Sequence, residues 1–326
     1  MALGETTVER TERVESDRRA RKRMLVIVNP YATTVSARLK NLVVYALQGR
    51  YEVEAVDTEA REHATELCRE AAAEGYDVVV AFGGDGTVNE AANGLVGSDT
   101  PLTCLPGGST NVACRTLGIP NDVVDATEHL LRMADDFHPR RIDLGRVNGR
   151  HFFFGSGVGL DASIVERVDR HPYRKARFGE WYYTYAGIVT FIGRYLVRPP
   201  RVRVEVEGQT LEAVTVVVQN SDPFTYFGRH PIRLGRDVEL DSGTLSLTLL
   251  RRATPFQLPT LMPRILSGRP DAVAGHRQVE TFEGLEDARV VAIDDRPFPL
   301  EVDGDHIGDV TEAAYGLSPG ALAVVA

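Results

Sequence analysis

The residues best suited to chemistry form one short run, Gly83-Gly84-Asp85-Gly86-Thr87-Val88-Asn89-Glu90, directly after the apolar stretch 78–82. Glycines let a ligand approach the backbone closely. A helix that begins after them presents free N–H groups and the positive end of its dipole to an anion. The run therefore predicts a phosphate-binding loop between a buried strand and a helix. A tight turn that uses Asp85 as its hydrogen-bonding residue is the structural alternative.

Asp85 stands in the middle of this loop, where a carboxylate would repel a phosphate. Its presence makes chemical sense in two ways. Either a Mg²⁺ ion lies between the carboxylate and the phosphate, or Asp85 accepts a proton from a hydroxyl group. We expect Asp85 to lie on an exposed loop, with the following helix covering residues 88–95.

A second glycine-rich run, Gly107-Gly108-Ser109-Thr110-Asn111, follows a strand-like stretch in the same way. Loops that follow parallel strands meet at the edge of the sheet where ligands bind. The two runs together therefore predict a two-sided cradle for a polyphosphate. Asn29, at the end of the first strand, and Thr33 or Thr34 after it are placed to join this cradle. A turn that starts a helix explains Asn29-Pro30 equally well.

The elements that must position these loops alternate between strand and helix. Strand-like runs cover residues 24–28, 51–56, 78–82 and 102–105, and helical patterns cover 35–48, 63–74, 88–95 and 112–117. This alternation predicts an α/β fold with a doubly wound, mostly parallel sheet that helices cover on both faces.

After about residue 143 the pattern changes to valine-rich runs that alternate apolar and polar residues. These runs cover 151–154, 201–206, 211–219, 244–251, 289–293 and 300–303, and a helical stretch at 179–196 interrupts them. They predict a mostly antiparallel, β-sandwich-like domain. Two further strand-like runs, 310–315 and 322–325, are expected to return to the first domain.

The predicted organisation follows from these patterns. We expect a disordered tail over 1–23, a nucleotide-binding α/β domain over 24–142, a β-rich substrate domain over 143–309 and a returning segment over 310–326.

Composition excludes several classes of protein. A chain of 326 residues with 43% hydrophobic and 25% charged residues is typical of a soluble protein with one large or two medium domains. The net charge of −9 argues against a nucleic-acid partner. Cys68, Cys104 and Cys114 lack metal-ligand spacing, which indicates reduced thiols and a cytoplasmic protein. No apolar stretch follows Met1, so we expect no secretory signal.

Two segments suggest contact with a membrane surface. The basic run 18–23 could attract anionic lipid headgroups, although a solvated tail is the simpler interpretation. The stretch 181–197 contains Trp181, Tyr182, Tyr183, Tyr185, Phe191 and Tyr195 and could lie at a lipid interface. An ordinary core helix is the alternative.

Six segments occur along the chain in this order: Asn29-Pro30, GGDGTVNEAANGL, LPGGSTNVACRTLGIP, FGSGVGLDA at 154–162, LDSGTLSLTLL at 240–250 and VDGD at 302–305. This series resembles the diacylglycerol kinase catalytic-domain family. That family includes bacterial diacylglycerol and related lipid kinases and eukaryotic sphingosine and ceramide kinases, and it is distantly related to NAD kinases. The resemblance covers nearly the whole chain after residue 23. It implies an ATP site in an NAD-kinase-like first domain and a lipid site between the domains.

The resemblance also assigns nucleotide-binding positions. They are Asn29, Thr33 or Thr34, Gly83, Gly84, Asp85, Gly86, Thr87 and Asn89, followed by Gly108, Ser109, Thr110 and Asn111. Ser109 stands where the family commonly has Thr. Val112 stands where the family has Asp, so one polar contact is lost.

The family's catalytic base is a carboxylate near an Asp-Gly-Asp/Glu segment, which maps onto Asp303-Gly304-Asp305. The resemblance implies that Asp305 is the base, with Asp303 as its neighbour or substitute. A hairpin turn is the structural alternative, because Asp-Gly is a strong turn signal.

The family's structural Mg²⁺ site maps onto Glu239, Asp241, Ser242 and Thr244, where Ser242 replaces the second Asp of the family's Asp-Asp-Gly.

The sequence thus favours an ATP- and Mg²⁺-dependent kinase that phosphorylates a hydroxyl group of diacylglycerol or a related lipid at a membrane surface. One alternative is a NAD-kinase-like enzyme with a soluble substrate, because the GGDG run alone is shared. Another is a nucleotide-binding regulator without catalysis. The sequence leaves open which lipid and which nucleotide are used, and whether the chain forms a homodimer.

Overall fold

The computed structural model describes residues 21–159, 201–236, 238–254, 257–294 and 296–326. The helix expected around Trp181 and residues 18–20 of the basic run lie outside the described residues.

The first part of the chain alternates strands and helices. Its strands are β1 Arg23–Val28, β2 Glu52–Asp57, β3 Val78–Gly83 and β4 Leu102–Pro106. Its helices are α1 Ala37–Leu47, α2 His63–Ala73, α3 Asp85–Leu95, α4 Val112–Thr116 and α5 Val123–Met133. The sequence patterns did not predict α5. This helix begins after Asp122, and the Asp122 side chain accepts hydrogen bonds from the N–H groups of Val124 and Asp125.

The second part is mainly β-structure. Its strands are β5 Arg140–Val147, β6 Arg150–Phe152, β7 Gly155–Gly159, β8 Val202–Val206, β9 Gln209–Ala213, β10 Thr215–Gln219, β11 Thr225–Phe227, β12 His230–Ile232, β13 Leu245–Leu250, β14 Val279–Leu285, β15 Asp287–Ala292, β16 Phe298–Val302, β17 Asp305–Val310 and β18 Glu312–Val324. Two helices, α6 Leu258–Ile265 and α7 Pro270–Ala274, lie between β13 and β14.

The larger sheet has the order β2-β1-β3-β4-β18-β15-β8-β9, and β5 and β6 extend it through β18. Strands β2, β1, β3 and β4 are parallel, and β18 joins β4 in the same direction. The strand order reverses between β1 and β3, which creates a topological switch point, where ligands bind in open α/β sheets. The residues after β1 and β3 are Asn29 and Gly84, so two of the predicted segments lie at this point.

The smaller sheet has the order β14-β13-β10-β7-β16-β17 and is antiparallel throughout. The predicted fold class is confirmed: a mostly parallel N-terminal sheet with helices precedes an antiparallel, β-sandwich-like region. Strands β3 and β4 are buried along their whole length, which explains why β3 is a continuous apolar run and why the core of β4 is mostly apolar.

Two expected elements differ from the structure. The stretch 211–219 forms two strands, because the chain leaves the larger sheet after β9 and enters the smaller one at β10. Most of the runs 310–315 and 322–325 belongs to one strand, β18, which begins at Glu312 and ends at Val324. This strand pairs with β15, β5 and β4 in turn. The larger sheet therefore contains strands from both halves of the chain.

Candidate active site

The two glycine loops contact each other through their backbones. The Gly107 N–H donates a hydrogen bond of 2.8 Å to the Gly83 carbonyl. A Cβ atom on Gly107 would lie 2.8 Å from the Cα atom of Gly83, and one on Gly108 would lie 2.9 Å from the Cα atom of Gly84. Any side chain here would push the loops apart, so glycine at these positions makes the two-sided arrangement sterically possible.

Residues after β1 join the same loops. The Asn29 side chain donates a hydrogen bond of 3.1 Å to the Thr87 hydroxyl, and its oxygen accepts one from the Tyr31 N–H at 3.0 Å. The Thr34 N–H donates to the Gly107 carbonyl at 3.0 Å. Thr33 is exposed beside Thr34. The structure therefore brings the segments after β1, β3 and β4 to one place.

Asn111 shapes the second loop from inside. Its backbone lies in the left-handed region with φ of 49°, and its side chain is buried. Its amide oxygen accepts from the Gly108 N–H at 2.8 Å, and its amide nitrogen donates to the Gly108 carbonyl at 3.0 Å. Ser109 is exposed and Thr110 is half-buried, so these two hydroxyls remain the accessible side chains of the loop.

The sequence predicts Asp85 on an exposed loop, and this prediction is wrong. Asp85 is the first residue of α3 and is half-buried. The helix starts earlier than predicted because Gly84 can serve as its N-cap. The Asp85 carboxylate accepts a hydrogen bond of 3.0 Å from the Ala113 N–H at the start of α4. Burial raises the pKa of Asp85 to about 6, against hydrogen bonds from Ala113 and Val112 that lower it.

Asp305 lies next to Asp85, although they come from opposite ends of the chain. A Cβ atom on Gly86 would collide with the carboxylate of Asp305, so this carboxylate lies against the Gly86 backbone. The negative charge of Asp305 is a further cause of the raised pKa of Asp85, after burial. Two carboxylates thus meet beside the first glycine loop, one from each predicted domain.

Asp303 has a different environment from Asp305. It is 2% exposed, and its oxygens accept four hydrogen bonds. The donors are the N–H groups of Phe153 at 2.7 Å, Phe154 at 2.9 Å and Gly155 at 3.1 Å, and the Asn89 side chain at 2.7 Å. Burial raises the pKa of Asp303 to about 6, and these hydrogen bonds oppose the rise. The carboxylate of Asp303 therefore ties the β16–β17 turn to β7 and to α3.

Asn89 lies at this junction and not on the loop surface. Besides Asp303, its amide nitrogen donates to the His151 carbonyl at 3.0 Å, and its oxygen accepts from Arg150 at 2.9 Å. Arg150 also forms an ion pair of 2.6 Å with Glu62. Both ends of the buried Asn89 amide are occupied by protein groups, which gives no geometric support to its predicted contact with nucleotide.

Arg115 was not singled out by the sequence reading. Its guanidinium lies 4.3 Å from the ring centroid of Tyr226 and donates to the Gly228 carbonyl at 3.2 Å. Its charge also acts on Asp85, lowering the pKa that burial raises. Two features of the sequence could have indicated this role for Arg115. It lies in the first turn of the helix after the second glycine loop, and neither glycine loop is followed by a lysine.

The residues mapped to a structural metal site form a compact exposed turn. The Ser242 hydroxyl donates to the Glu239 carbonyl at 2.9 Å and lies 3.4 Å from the Thr244 hydroxyl. The Asp241 carboxylate lies 3.7 Å from Arg140, on the surface. Within the described residues, no group of three or more His, Cys, Asp or Glu side chains is arranged to hold a metal ion.

The described end of the basic run is held by the protein. The Lys22 ammonium lies 4.7 Å from the Phe137 ring centroid, and the Arg23 guanidinium lies 4.2 Å from that of Tyr76. These two charges are therefore used to pack β1 against its neighbours. Among the described residues, no helix has both the length and the apolarity needed to cross a bilayer.

Comparison with known proteins agrees with this architecture. Residues 23–147 match the family described as diacylglycerol kinase catalytic domain, and residues 156–326 match the YegS C-terminal NAD kinase beta sandwich-like domain. The chain is 29% identical to a diacylglycerol kinase of Bacillus subtilis over 71% of this chain and 75% of that protein. It is 26% identical to a diacylglycerol kinase of Staphylococcus aureus over 88% of this chain and 87% of that protein.

The fold has a counterpart among solved structures. A crystal structure of a diacylglycerol kinase from Bacillus anthracis superposes with a TM-score of 0.64 at 21% identity, covering 93% of this chain and 96% of that chain. Together, the two matched regions account for most of the chain. The protein belongs to the diacylglycerol kinase catalytic-domain family of lipid kinases.

Proposed function

We propose that the protein transfers the γ-phosphoryl group of ATP to a hydroxyl group of diacylglycerol or a closely related lipid. The observation that carries this proposal is the meeting of Asp85 and Asp305 beside two touching glycine loops. Phosphoryl transfer needs charge neutralisation around the phosphates and a positioned hydroxyl nucleophile. The glycine loops suit the first requirement, and a carboxylate beside them suits the second.

The phosphates of the nucleotide are proposed to bind along the edge where the two loops meet, against the N-terminus of α3. Free N–H groups there and the hydroxyls of Ser109 and Thr110 are the available donors. Arg115 adds a fixed positive charge near Asp85. It takes the place of the lysine that follows a Walker-type glycine loop.

The residues at this place fit a Mg²⁺ ion. Mg²⁺ in kinases is usually bound by one or two carboxylates together with substrate phosphates. Asp85 provides a carboxylate that would hold the ion, and the negative charge of the nearby Asp305 would add to the attraction for a cation. When bound, the ion would supply charge neutralisation for the phosphates. This assignment is distinct from the exposed turn at Glu239–Thr244, where the geometry gives less support to a cation.

Asp305 is proposed to accept the proton of the lipid hydroxyl as its oxygen attacks the γ-phosphorus. The bond from phosphorus to the β-phosphate oxygen breaks, and ADP leaves. Asp303 is buried with four hydrogen-bond donors, so we assign it the task of holding the turn that carries Asp305.

We expect Asp85→Asn to lose activity by at least about 100-fold without loss of stability. The pKa of Asp85 is raised from 3.8 to about 6 in the folded chain. Its ionisation therefore costs folding free energy, and this cost develops as the pH rises through about 6. The asparagine keeps an oxygen for the Ala113 N–H and removes the charge.

Thermal melting of Asp85→Asn across pH checks this expectation. At pH 7 the variant should melt at or above the temperature of the unchanged protein, and the difference should vanish below about pH 4. A variant that melts well below the unchanged protein at pH 7 would show that the charge itself stabilises the fold.

A labelled-ATP transfer assay tests the proposed reaction. The γ-phosphate label is offered with Mg²⁺ and, in separate reactions, with diacylglycerol, other extracted lipids and NAD. Label in a lipid-soluble product supports the proposal and identifies the lipid. Label in NADP would support the NAD-kinase alternative, and ATP binding without any labelled product would support a non-catalytic regulator.

A further inference from the structure

The surface around α6 is built differently from the rest of this acidic protein. Between residues 251 and 278 the sequence contains five arginines and one acidic residue, whereas the whole chain carries a net charge of −9. The acidic residue is Asp271, and it forms an ion pair with Arg236. Arg251 is also paired, with Glu280 of β14, so the positive charge of the local surface comes from the other arginines of this stretch.

Helix α6 presents an apolar outer face at the centre of this region. Leu261 and Ile265 pack into a core with Val217 and Val273 on the inner side. The outer side is exposed and consists of Pro259, Met262, Pro263 and Leu266. These four positions share one face because they are spaced three and four residues apart. Met262 and Leu266 are each 44% exposed, which is high for large apolar side chains.

The tip of the β11–β12 hairpin continues this surface. Gly268, two residues after Leu266, lies against the hairpin, since a Cβ atom on it would be 3.3 Å from the His230 ring and from the Pro231 carbonyl. At the tip, Phe227 is 48% exposed and Arg229 is exposed. Arg269 is exposed directly after Gly268. The end of α6 and the hairpin tip, each with an exposed apolar side chain and an exposed arginine, thus lie side by side.

The same hairpin contacts the candidate active site. Tyr226, next to Phe227, packs under the guanidinium of Arg115, and the Gly228 carbonyl accepts a hydrogen bond from it. Arg115 lies on α4, which begins at the second glycine loop. A surface that binds the hairpin tip would therefore lie close to the place proposed for phosphoryl transfer.

We propose that α6 and the hairpin tip form a docking surface for an anionic lipid bilayer. We define this surface by Phe227, Arg229, Pro259, Met262, Pro263, Leu266 and Arg269. Arginines pair with lipid phosphates and anionic headgroups, and the apolar side chains enter the boundary between headgroups and acyl chains. Three large apolar side chains are too few for the apolar centre of a stable dimer interface, whereas they suffice for reversible adsorption. The inference rests on the proposed function, because a lipid substrate must be reached in its bilayer.

Vesicle sedimentation with the full chain tests the docking surface. The vesicles contain phosphatidylcholine alone or phosphatidylcholine mixed with phosphatidylglycerol. Replacing both Arg229 and Arg269 by Gln should weaken binding to the mixed vesicles about 30-fold, at about 1 kcal/mol for each basic residue, and should flatten the salt dependence. Replacing both Met262 and Leu266 by Ser should weaken binding about 10-fold and leave the salt dependence in place.

Matched controls come from α1, which lies on the other domain. Leu42 and Tyr45 are 57% and 79% exposed, and Arg38 is exposed nearby. Leu42→Ser with Tyr45→Ser, and Arg38→Gln, should leave vesicle binding unchanged. Three outcomes would overturn the proposal. They are equal losses of binding in the control variants, unchanged binding in both docking variants, and a shift in oligomeric state when the docking variants are sedimented without vesicles.

A second readout separates this proposal from the proposed function. On a short-chain diacylglycerol dispersed in detergent, the docking variants should transfer label as fast as the unchanged protein. On diacylglycerol in mixed vesicles, their rate should fall with binding. If the unchanged protein transfers no label to the lipid in detergent, the proposed function fails. The vesicle-binding measurements would still test the docking surface in that case.

Discussion

Asp305→Asn is expected to lower kcat by about 10²- to 10⁴-fold, the range over which a positioned general base contributes to catalysis. Asparagine has nearly the same size as aspartate, so it should fit against the Gly86 backbone as Asp305 does. It cannot accept the proton of the lipid hydroxyl. Steady-state kinetics of label transfer from ATP to a dispersed lipid measures the effect, with thermal melting as the check that the fold is kept.

Asp309→Asn is the matched control for this variant. Asp309 lies on β17, the strand that begins at Asp305, and it is exposed. Its substitution should change neither kcat nor the melting temperature. If Asp305→Asn keeps kcat but needs far more Mg²⁺ for half-maximal rate, Asp305 holds the cation and another group accepts the proton. Normal kinetics in every respect would exclude Asp305 from the reaction.

The glycine loops were predictable from the sequence because their chemistry is local. A buried apolar run, a set of glycines and a helix occur in one continuous stretch, so the order of residues already defines the loop. The position of Asp85 was less predictable, since the glycine at 84 serves as the N-cap and the helix begins one residue later. An aspartate expected in solvent therefore became a half-buried one.

The roles within the Asp303-Gly304-Asp305 segment could not be separated from the sequence. The two aspartates are chemically identical, and they differ only in what the fold brings to them. The donors around Asp303 come from Asn89 and from residues 153–155, far away along the chain. The contact of Arg115 with Tyr226 is equally long-range.

Strand β18 shows a related limit of sequence patterns. Ser318, Pro319 and Gly320 suggest a break between two strands. In the structure the pairing with β5 shifts register between Ser318 and Leu322, and the strand continues past this irregularity. The Gly320 N–H donates to Asp143 at 2.7 Å and so finds an acceptor outside the ladder. A bulge can absorb turn-forming residues when a neighbouring side chain satisfies the backbone.

Asp303→Asn is expected to destabilise the fold strongly, in contrast to Asp305→Asn. Each Asp303 oxygen accepts two hydrogen bonds from groups of the protein interior. Whichever oxygen becomes an amide nitrogen, two buried donors lose their acceptor and face another donor. At about 1–3 kcal/mol for each unsatisfied donor, the free energy of unfolding should fall by about 2–6 kcal/mol.

Chemical unfolding of Asp303→Asn measures this loss, and Asp287→Asn is its control. Asp287 is exposed on β15, so its substitution should leave the free energy of unfolding within about 0.5 kcal/mol. Asp303 joins β7, α3 and the turn that carries Asp305, and its loss should therefore loosen the approach of Asp305 to Gly86. Below its melting temperature the variant should show a lower kcat together with its lower stability. A variant that is as stable as the unchanged protein but inactive would instead make Asp303 the group that accepts the proton.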